Sequence, residues 1–271
     1  HRWICRRVLS PAAPLFGEVE LLLGEDPAVS TVRKPNLYHA ALAGVALGNH
    51  AWSSLTKYVR ISGSSLHSIV SALTSASFLE EVRDPVRDNR PTYQPADPLI
   101  RFHYAVIRRH EARLGRHGVD TEALWRGLIP TFRSQVLGPC FEAMARRWTA
   151  HFADQDTVGG SPDHVGPTSL TVTNRGTGAT GVREIDVVVA ADDAVEPSGR
   201  TVRALGEAKV GEDFTLGHVR RLEDARMALG DRAAGARLLL FGSSFDDAVR
   251  ASARERADLE VVDLQRLYEG A

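Results

Sequence analysis

The stretch Arg183-Glu184-Ile185-Asp186-Val187-Val188-Val189 decides how this chain is read, with Ala204-Leu205-Gly206-Glu207-Ala208-Lys209-Val210 as its counterpart. Both are short apolar runs interrupted by charge, the pattern of half-buried strands. Side chains two apart on a strand share a face. Glu184 can therefore share a face with Asp186, and Glu207 shares one with Lys209. If the strands pair, three carboxylates and one ammonium converge on one edge of a sheet. That oxygen set suits a hard cation such as Mg²⁺ or Mn²⁺, and a bound metal together with a lysine can activate water beside a phosphate. The competing reading is two half-buried strands whose charges are solvated.

Composition favours the first reading. Only Lys34, Lys57 and Lys209 are lysine among the 33 Lys+Arg residues. A chain that otherwise uses arginine keeps at position 209 a compact point charge with a tunable pKa, which arginine is not. The formal net charge of −1 gives no global basic signal for nucleic acid, although Arg108, Arg109, Arg113 and Arg116 form a local cluster. A length of 271 residues, 43% hydrophobic and 25% charged, fits one large or two modest globular domains. Cys5 and Cys140 are too few and too far apart for a disulfide framework or a zinc site, so a reducing cytoplasm is expected. No apolar run approaches membrane-spanning length and no secretory signal is visible, so no membrane partner is expected. The chain opens on His1 rather than Met, which leads to the expectation of a piece of a longer protein.

Residues 1–35 read as a connector, punctuated by Pro11, Pro14, Pro27 and Pro35, with one apolar stretch, Val19 to Leu23, that fits a short helix. From Leu37 the spacing becomes helical, with Leu37, Ala41, Leu42, Val45 and Ala46 on one face and Gly48 as a stop. Further helices are expected at about 52–59 and 64–76. A strand at 78–82, a loop through 84–91 and a return at 92–94 complete the order of a winged helix-turn-helix over residues 36–96. Its third helix offers Ser64, Ser65, His67, Ser68, Ser71 and Thr74 but no Lys or Arg. Arg87 and Arg90 in the loop, and Arg108 and Arg109 beyond it, are the candidate phosphate contacts. His67 and His103 read as surface or boundary residues.

Asp97-Pro98 opens a helix, with Asp at the cap and Pro at the first position. Residues 97–130 then read as a helical linker. Another helix spans about 130–150, with Gly138-Pro139 expected to interrupt it. Strands at about 169–173, 184–190 and 202–210 follow, then a helix at 216–229, a strand at 236–241, a helix at 245–256 and a strand at 259–262. After residue 139 the order is αβββαβαβ, an α/β sandwich with a meander first and a crossover later.

Glu142 on its helix, Ile185-Asp186, and Glu207-Ala208-Lys209 in αβββαβ order resemble the PD-(D/E)xK nuclease superfamily, the restriction-endonuclease-like fold. The chain from about residue 9 onward is similar, more narrowly, to the C-terminal region of archaeal-type AAA+/STAND ATPases. Those end in a winged helix followed by a PD-(D/E)xK-like domain. The matching stretches are Pro14-Leu15-Phe16, Tyr38-His39-Ala40-Ala41-Leu42 with Gly48, Phe78-Leu79-Glu80, Tyr93 through Phe102, Gly138-Pro139-Cys140-Phe141-Glu142, Glu184-Ile185-Asp186 and Gly206-Glu207-Ala208-Lys209. The resemblance implies an α+β or α/β chain whose nuclease-like domain covers 131–271. It implies Glu142, Asp186, Glu207 and Lys209 as catalytic residues. Asp186, Glu207 and the Ala208 carbonyl would hold Mg²⁺ or Mn²⁺, with Glu184 behind them. It also implies nucleic acid, DNA favoured, as a partner, and an upstream ATPase domain outside this sequence. No Gly-x-x-x-x-Gly-Lys-Ser/Thr occurs, so no ATP site is assigned within the chain.

Two functions follow. One is a metal-dependent nuclease. The other is a non-catalytic interaction or effector module of a larger ATPase. The acidic quartet favours the first, and the near-neutral charge with an uncharged third helix favours the second.

Overall fold

The computed structural model describes residues 1–30, 34–87, 91–173, 176–192 and 199–270. They divide into two compact units, one of residues 1–82 and 91–137, the other of residues 83–90 and 138–271.

The first unit begins with α1 (Arg2–Arg7), α2 (Pro14–Glu25) and α3 (Pro27–Ser30). The proline-punctuated start is thus largely helical, because Pro14 and Pro27 open helices rather than break them. Val19, Leu23 and Val29 are buried in the same core as the helices that follow. Those are α4 (Pro35–Ala46), α5 (Trp52–Val59) and α6 (Gly63–Ser75), succeeded by β1 (Leu79–Val82) and β2 (Thr92–Pro95). The two strands pair antiparallel, Leu79 opposite Pro95 and Val82 opposite Thr92. A bridge from Ala51 to Thr92 ties the start of α5 to the hairpin. Three helices closed by this hairpin form a winged helix.

Its core follows from the helical spacing. Ala41, Leu42, Val45, Leu55, Leu66, Ile69, Val70 and Leu73 are all buried together. Ser62 caps α6, its Oγ accepting the Ser65 N–H, a cap typically worth about 1 kcal/mol. Asp97 caps α7 (Pro98–Phe102) in the same way, accepting the Leu99 N–H at 2.6 Å. A π-helical turn, His103–Ile107, carries α7 directly into α8 (Arg108–Leu114). Ile100 and Tyr104 belong to the winged-helix core, so this stretch packs as part of the unit. His103 is buried rather than at a boundary. Burial, and then the neighbouring Arg108, bring its pKa down to about 4.

α9 (Thr121–Phe132) runs through a second π turn, Arg133–Leu137, into α10 (Gly138–His151). Gly138-Pro139 therefore does not interrupt the helix as expected. The wider turn lies immediately before Pro139, where the ladder must accommodate a residue without an N–H.

In the second unit, α10 and the short α11 (Gln155–Val158) precede β3 (His164–Thr173), β4 (Thr180–Ala191) and β5 (Thr201–Phe214). Next come α12 (Leu216–Ala228), β6 (Arg237–Phe245), α13 (Asp247–Glu255), β7 (Leu259–Val262) and α14 (Leu264–Glu269). The sheet order is β3-β4-β5-β6-β7. The first three strands are antiparallel neighbours and the last three parallel. Apolar side chains fill both faces. Val187, Val189, Ala204, Ala208, Leu239 and Phe241 pack with Phe141, Ala145 and Trp148 of α10. Ile185, Val188, Leu205, Leu238 and Leu240 pack with Val219, Leu222 and Ala225 of α12. The αβββαβαβ order read from the sequence is the order observed, with β3 and β5 longer than expected.

Candidate functional site

The site is built where β4 and β5 part. Their ladder runs from Ala191 opposite Thr201 to Val187 opposite Gly206 and stops there. β5 continues alongside β6 to Phe214. The lower half of β4 stays with β3 alone. At the fork the Ala208 N–H lies beyond the last β4–β5 pair, and it donates to Asp186 Oδ2 at 2.9 Å. A carboxylate thus takes the N–H just past the end of the ladder.

A bulge delivers Asp186 to that position. Gly166 pairs with Val188 but Thr168 pairs with Ile185, so Asp186 and Val187 together face the single residue Pro167. Proline offers no N–H, and bulges commonly accommodate it. The strict alternation assumed from the sequence is therefore offset by one here. Ile185 and Val188, three apart, share the α12 side of the sheet. Val187 and Val189 share the α10 side. Gly206 completes the corner. A Cβ there would meet the Phe241 ring at 3.0 Å and Val187 at 3.1 Å, so the strand must be bare at this point.

Three of the acids named from the sequence act on the fourth, Asp186. Burial first, and then the Glu142 carboxylate, push the Asp186 pKa up to about 7. Glu207 and Glu184 add to the rise, and the Ala208 N–H opposes it. α10 also reaches Asp186 through Arg146, whose Nη1 donates to the Asp186 carbonyl at 3.1 Å. Lys209 Nζ stands 3.5 Å from Glu207 Oε1, as their shared face requires, and 3.8 Å from Glu212 Oε2.

Two groups at this site were not found from sequence. Arg221 on α12 donates through Nη2 to Glu207 Oε1 at 2.9 Å. His218, one turn earlier, accepts the Thr215 N–H on Nδ1 at 3.0 Å and so is neutral there. Burial, then Arg221, hold the His218 pKa below its usual value. The signal available was their place on the helix after the Glu-x-Lys strand. A chain rich in arginine gave no reason to single out Arg221.

Two contacts bear on the expected ligand set. The Ala208 peptide donates its N–H to Asp186. Glu207 faces two cations, and among the described residues no trio of His, Cys, Asp or Glu is gathered closely enough to hold a metal ion. The chemistry of the donors nonetheless suits a divalent ion. Asp186 is desolvated and feels the negative charge of Glu142, Glu207 and Glu184, and a dication would favour its ionised form.

On the winged helix, α6 exposes Ser64, Ser65, His67, Ser68 and Ser71, and no cation. Arg108 is engaged, its Nη1 lying 2.5 Å from Glu20 Oε1 and 3.2 Å from Glu111 Oε2, while Arg109 is exposed. Arg87 is exposed too, but its segment clusters with the second unit. Thr168 Oγ1 donates to Asp84 Oδ2 at 2.8 Å, Pro85 is buried, and a Cβ on Gly166 would collide with the Arg83 carbonyl. Arg90 lies outside the described residues. Sequence reading passed over Lys57 and Arg60, which line an open depression with Asn49, Ser54 and Tyr58 at the end of α5.

The described chain therefore combines a winged helix with a mixed five-stranded sheet carrying an acidic fork. No family model matches this chain, and no curated protein matches it. Three solved structures are similar over part of it, each across 42% of this chain. The PcaV transcriptional regulator from Streptomyces coelicolor, in complex with its natural ligand, is 23% identical over 82% of its own length, with a TM-score of 0.24. Streptococcus pneumoniae FabT in complex with DNA is 14% identical over 87%, with a TM-score of 0.26. The zinc-responsive MarR family member ZitR from Lactococcus lactis is 14% identical over 94%, with a TM-score of 0.24. The winged helix is assigned from its own elements and not from these likenesses. Among the described residues no helix is long and apolar enough to cross a membrane.

Proposed function

We propose that this chain is a nucleic-acid-processing module whose second unit is a PD-(D/E)xK-type, metal-dependent phosphodiesterase. We further propose that it works within a larger archaeal-type ATPase. The observation that carries the reading is Asp186. It is half-buried and placed by a bulge at the fork of two strands, and desolvation first, then Glu142 with smaller effects of Glu207 and Glu184, lifts its pKa to about 7. Solvated surface acids do not pay such a penalty, and perturbed carboxylates of this kind concentrate at functional sites.

In this reading Asp186, Glu207 and the Ala208 carbonyl hold Mg²⁺ or Mn²⁺, and Glu142 and Glu184 add negative charge around them. The ion would supply Lewis acidity toward a phosphate oxygen and lower the pKa of water. Lys209 orients the attacking water and steadies charge on the phosphate. The water oxygen bonds to phosphorus as one ester P–O bond breaks. The water gives up a proton and the leaving oxygen takes one from solvent. Lys57 and Arg60, with exposed Arg109, are the proposed contacts of the first unit to the nucleic-acid backbone.

The test is nicking of supercoiled plasmid and of single-stranded DNA, with Mg²⁺ or Mn²⁺ and with chelator. Metal-dependent cleavage that is lost in Asp186→Asn and Lys209→Ala supports the reading. A second reading, a non-cleaving docking or effector module, is favoured by the uncharged α6 and by the ion pairs that occupy Glu207. A folded wild-type protein that cuts neither substrate and binds no divalent ion by calorimetry would establish it instead.

A further inference from the structure

Glu207 Oε1 is shared by two cations, Lys209 Nζ at 3.5 Å and Arg221 Nη2 at 2.9 Å. Lys209 comes from the same strand, so its proximity follows from strand geometry. Arg221 comes from α12, and its approach needs the helix to be held in place. Arg183 of β4 does this. Its Nη1 donates to the Arg221 carbonyl at 2.9 Å and lies 3.9 Å from Asp224 Oδ2, one helical turn on. Leu222 and Val219 bury the same helix against the sheet. A small cavity beneath these side chains is lined by Arg183, Glu184, Ile185, Gly206, Glu207 and Arg221. The Glu207 side chain is 17% exposed and that of Arg221 is 40% exposed, so the guanidinium is the solvent-facing member of the pair.

We infer that Arg221 is a positioning residue that exchanges partners. It holds the Glu207 carboxylate while no ion is present, and transfers its guanidinium to a backbone phosphate when nucleic acid and a divalent cation arrive. The inference rests on the proposed metal-dependent function. Three features carry it. Arg221 occupies the oxygen that an ion at Glu207 would need. A planar guanidinium fits phosphate as well as carboxylate. The Arg221 side chain is solvent-accessible, so a phosphate can reach it. Lys209 remains on Glu207 in either state, which leaves it free of the exchange.

The test uses the full chain and calorimetric titration with Mn²⁺ alone, for wild type, Arg221→Ala, Asp186→Asn and, as a neighbouring-charge control, Arg220→Ala at an exposed position on α12. Removing the competing cation should tighten Mn²⁺ binding by about tenfold in Arg221→Ala, because a nearby positive charge opposes a dication. Arg220→Ala should match wild type, and Asp186→Asn should lose binding. In chelator, where the guanidinium stays on Glu207, Arg221→Ala should bind duplex DNA about as tightly as wild type. Thermal unfolding of each variant confirms that it is folded. If wild type binds Mn²⁺ and folded Arg221→Ala binds it equally or more weakly, the exchange is overturned and the metal site stands. If Arg220→Ala tightens binding as much as Arg221→Ala, the effect is general charge and the exchange is overturned as well. If neither wild type nor Arg221→Ala binds Mn²⁺, the metal-dependent function itself fails and takes this inference with it.

Discussion

The α6 face and the β4–β5 fork treat polar groups in opposite ways. On α6 the exposed side chains are serines and one histidine, all neutral or solvated, and the buried ones are aliphatic. That face fits a stable helix without electrostatic cost. At the fork Glu207 meets Lys209 and Arg221, and Asp186, desolvated and influenced by Glu142, Glu207 and Glu184, ionises only toward neutral pH. The electrostatic cost among the described residues is thus concentrated at the fork, where the proposed function would use it, while α6 packs without one.

The largest effect should come from chemistry at the fork. Lys209→Ala or Asp186→Asn should lower metal-dependent cleavage by on the order of 10²–10³. Lys209→Arg should not restore it, since a planar fork cannot replace a compact ammonium. Plasmid nicking rates at saturating Mn²⁺ check this. Full cleavage by folded Lys209→Ala would collapse the contrast between the two regions.

Stability should sharpen it. Gly206 has Phe241, Val187 and Leu239 within 3.3 Å of where a Cβ would be. Gly206→Ala should therefore cost roughly 1–3 kcal/mol by overpacking, read as a lower urea midpoint. Asp186 gives a signed pH dependence. Its folded pKa lies above the unfolded value, so between about pH 4 and 7 the folded state keeps a proton that the unfolded state has lost. Stability should fall as pH rises through that window and level off above it. Asp186→Asn should remove this slope and raise stability at pH 8 by roughly 1–3 kcal/mol, allowing for partial solvent screening. Urea titrations at pH 5 and pH 8 compare the two proteins. An unchanged slope would mean that the carboxylates are solvated and the fork is an ordinary surface.

Asp258 has the opposite sign. Arg256 first, and then Arg226, hold its carboxyl well below the usual range. Its contribution is therefore present above the ordinary carboxylate pKa and fades as pH falls through the depressed folded value. Asp258→Asn should cost about 1 kcal/mol at pH 7, since the group is well exposed. The loss should shrink steadily as pH falls from about 4 toward 2. It separates a stabilising acid from the destabilising one at the fork.

The sequence made the strand order legible, because period-two alternation and apolar helix faces are local properties. Glu207 and Lys209 share a face by spacing alone, and the structure puts them 3.5 Å apart. The bulge at Asp186-Val187 was not legible. It depends on which β3 residue stands opposite, and Pro167 explains it only once the register is known. Arg221 was not legible either, because its contact joins a helix to a strand across a parallel crossover. The proline-rich start was misread for a simpler reason. Proline both breaks helices and begins them, and only the burial of Val19 and Leu23 tells which it does here.

The smallest expected effect tests the other side of the comparison. If α6 is built first for packing, backbone contact by the first unit must come from cations beside it. Lys57 and Arg60 are exposed at the end of α5, and Tyr58 lies between them. Each phosphate contact removed should reduce the slope of log affinity against log salt by about 0.9. The double variant Lys57→Ala with Arg60→Ala should therefore weaken duplex binding several-fold at low salt and flatten the slope by about 1–2. His67→Ala should change affinity little and leave the slope alone, since on this reading α6 does not touch the nucleic-acid backbone. Arg87→Ala should also leave the slope nearly unchanged, because its segment is anchored through Asp84 and Pro85. Fluorescence anisotropy against salt, in chelator so that nothing is cut, measures all of these. If His67→Ala removes binding while the double variant keeps both affinity and slope, α6 reads nucleic acid directly. Both regions would then serve the proposed function.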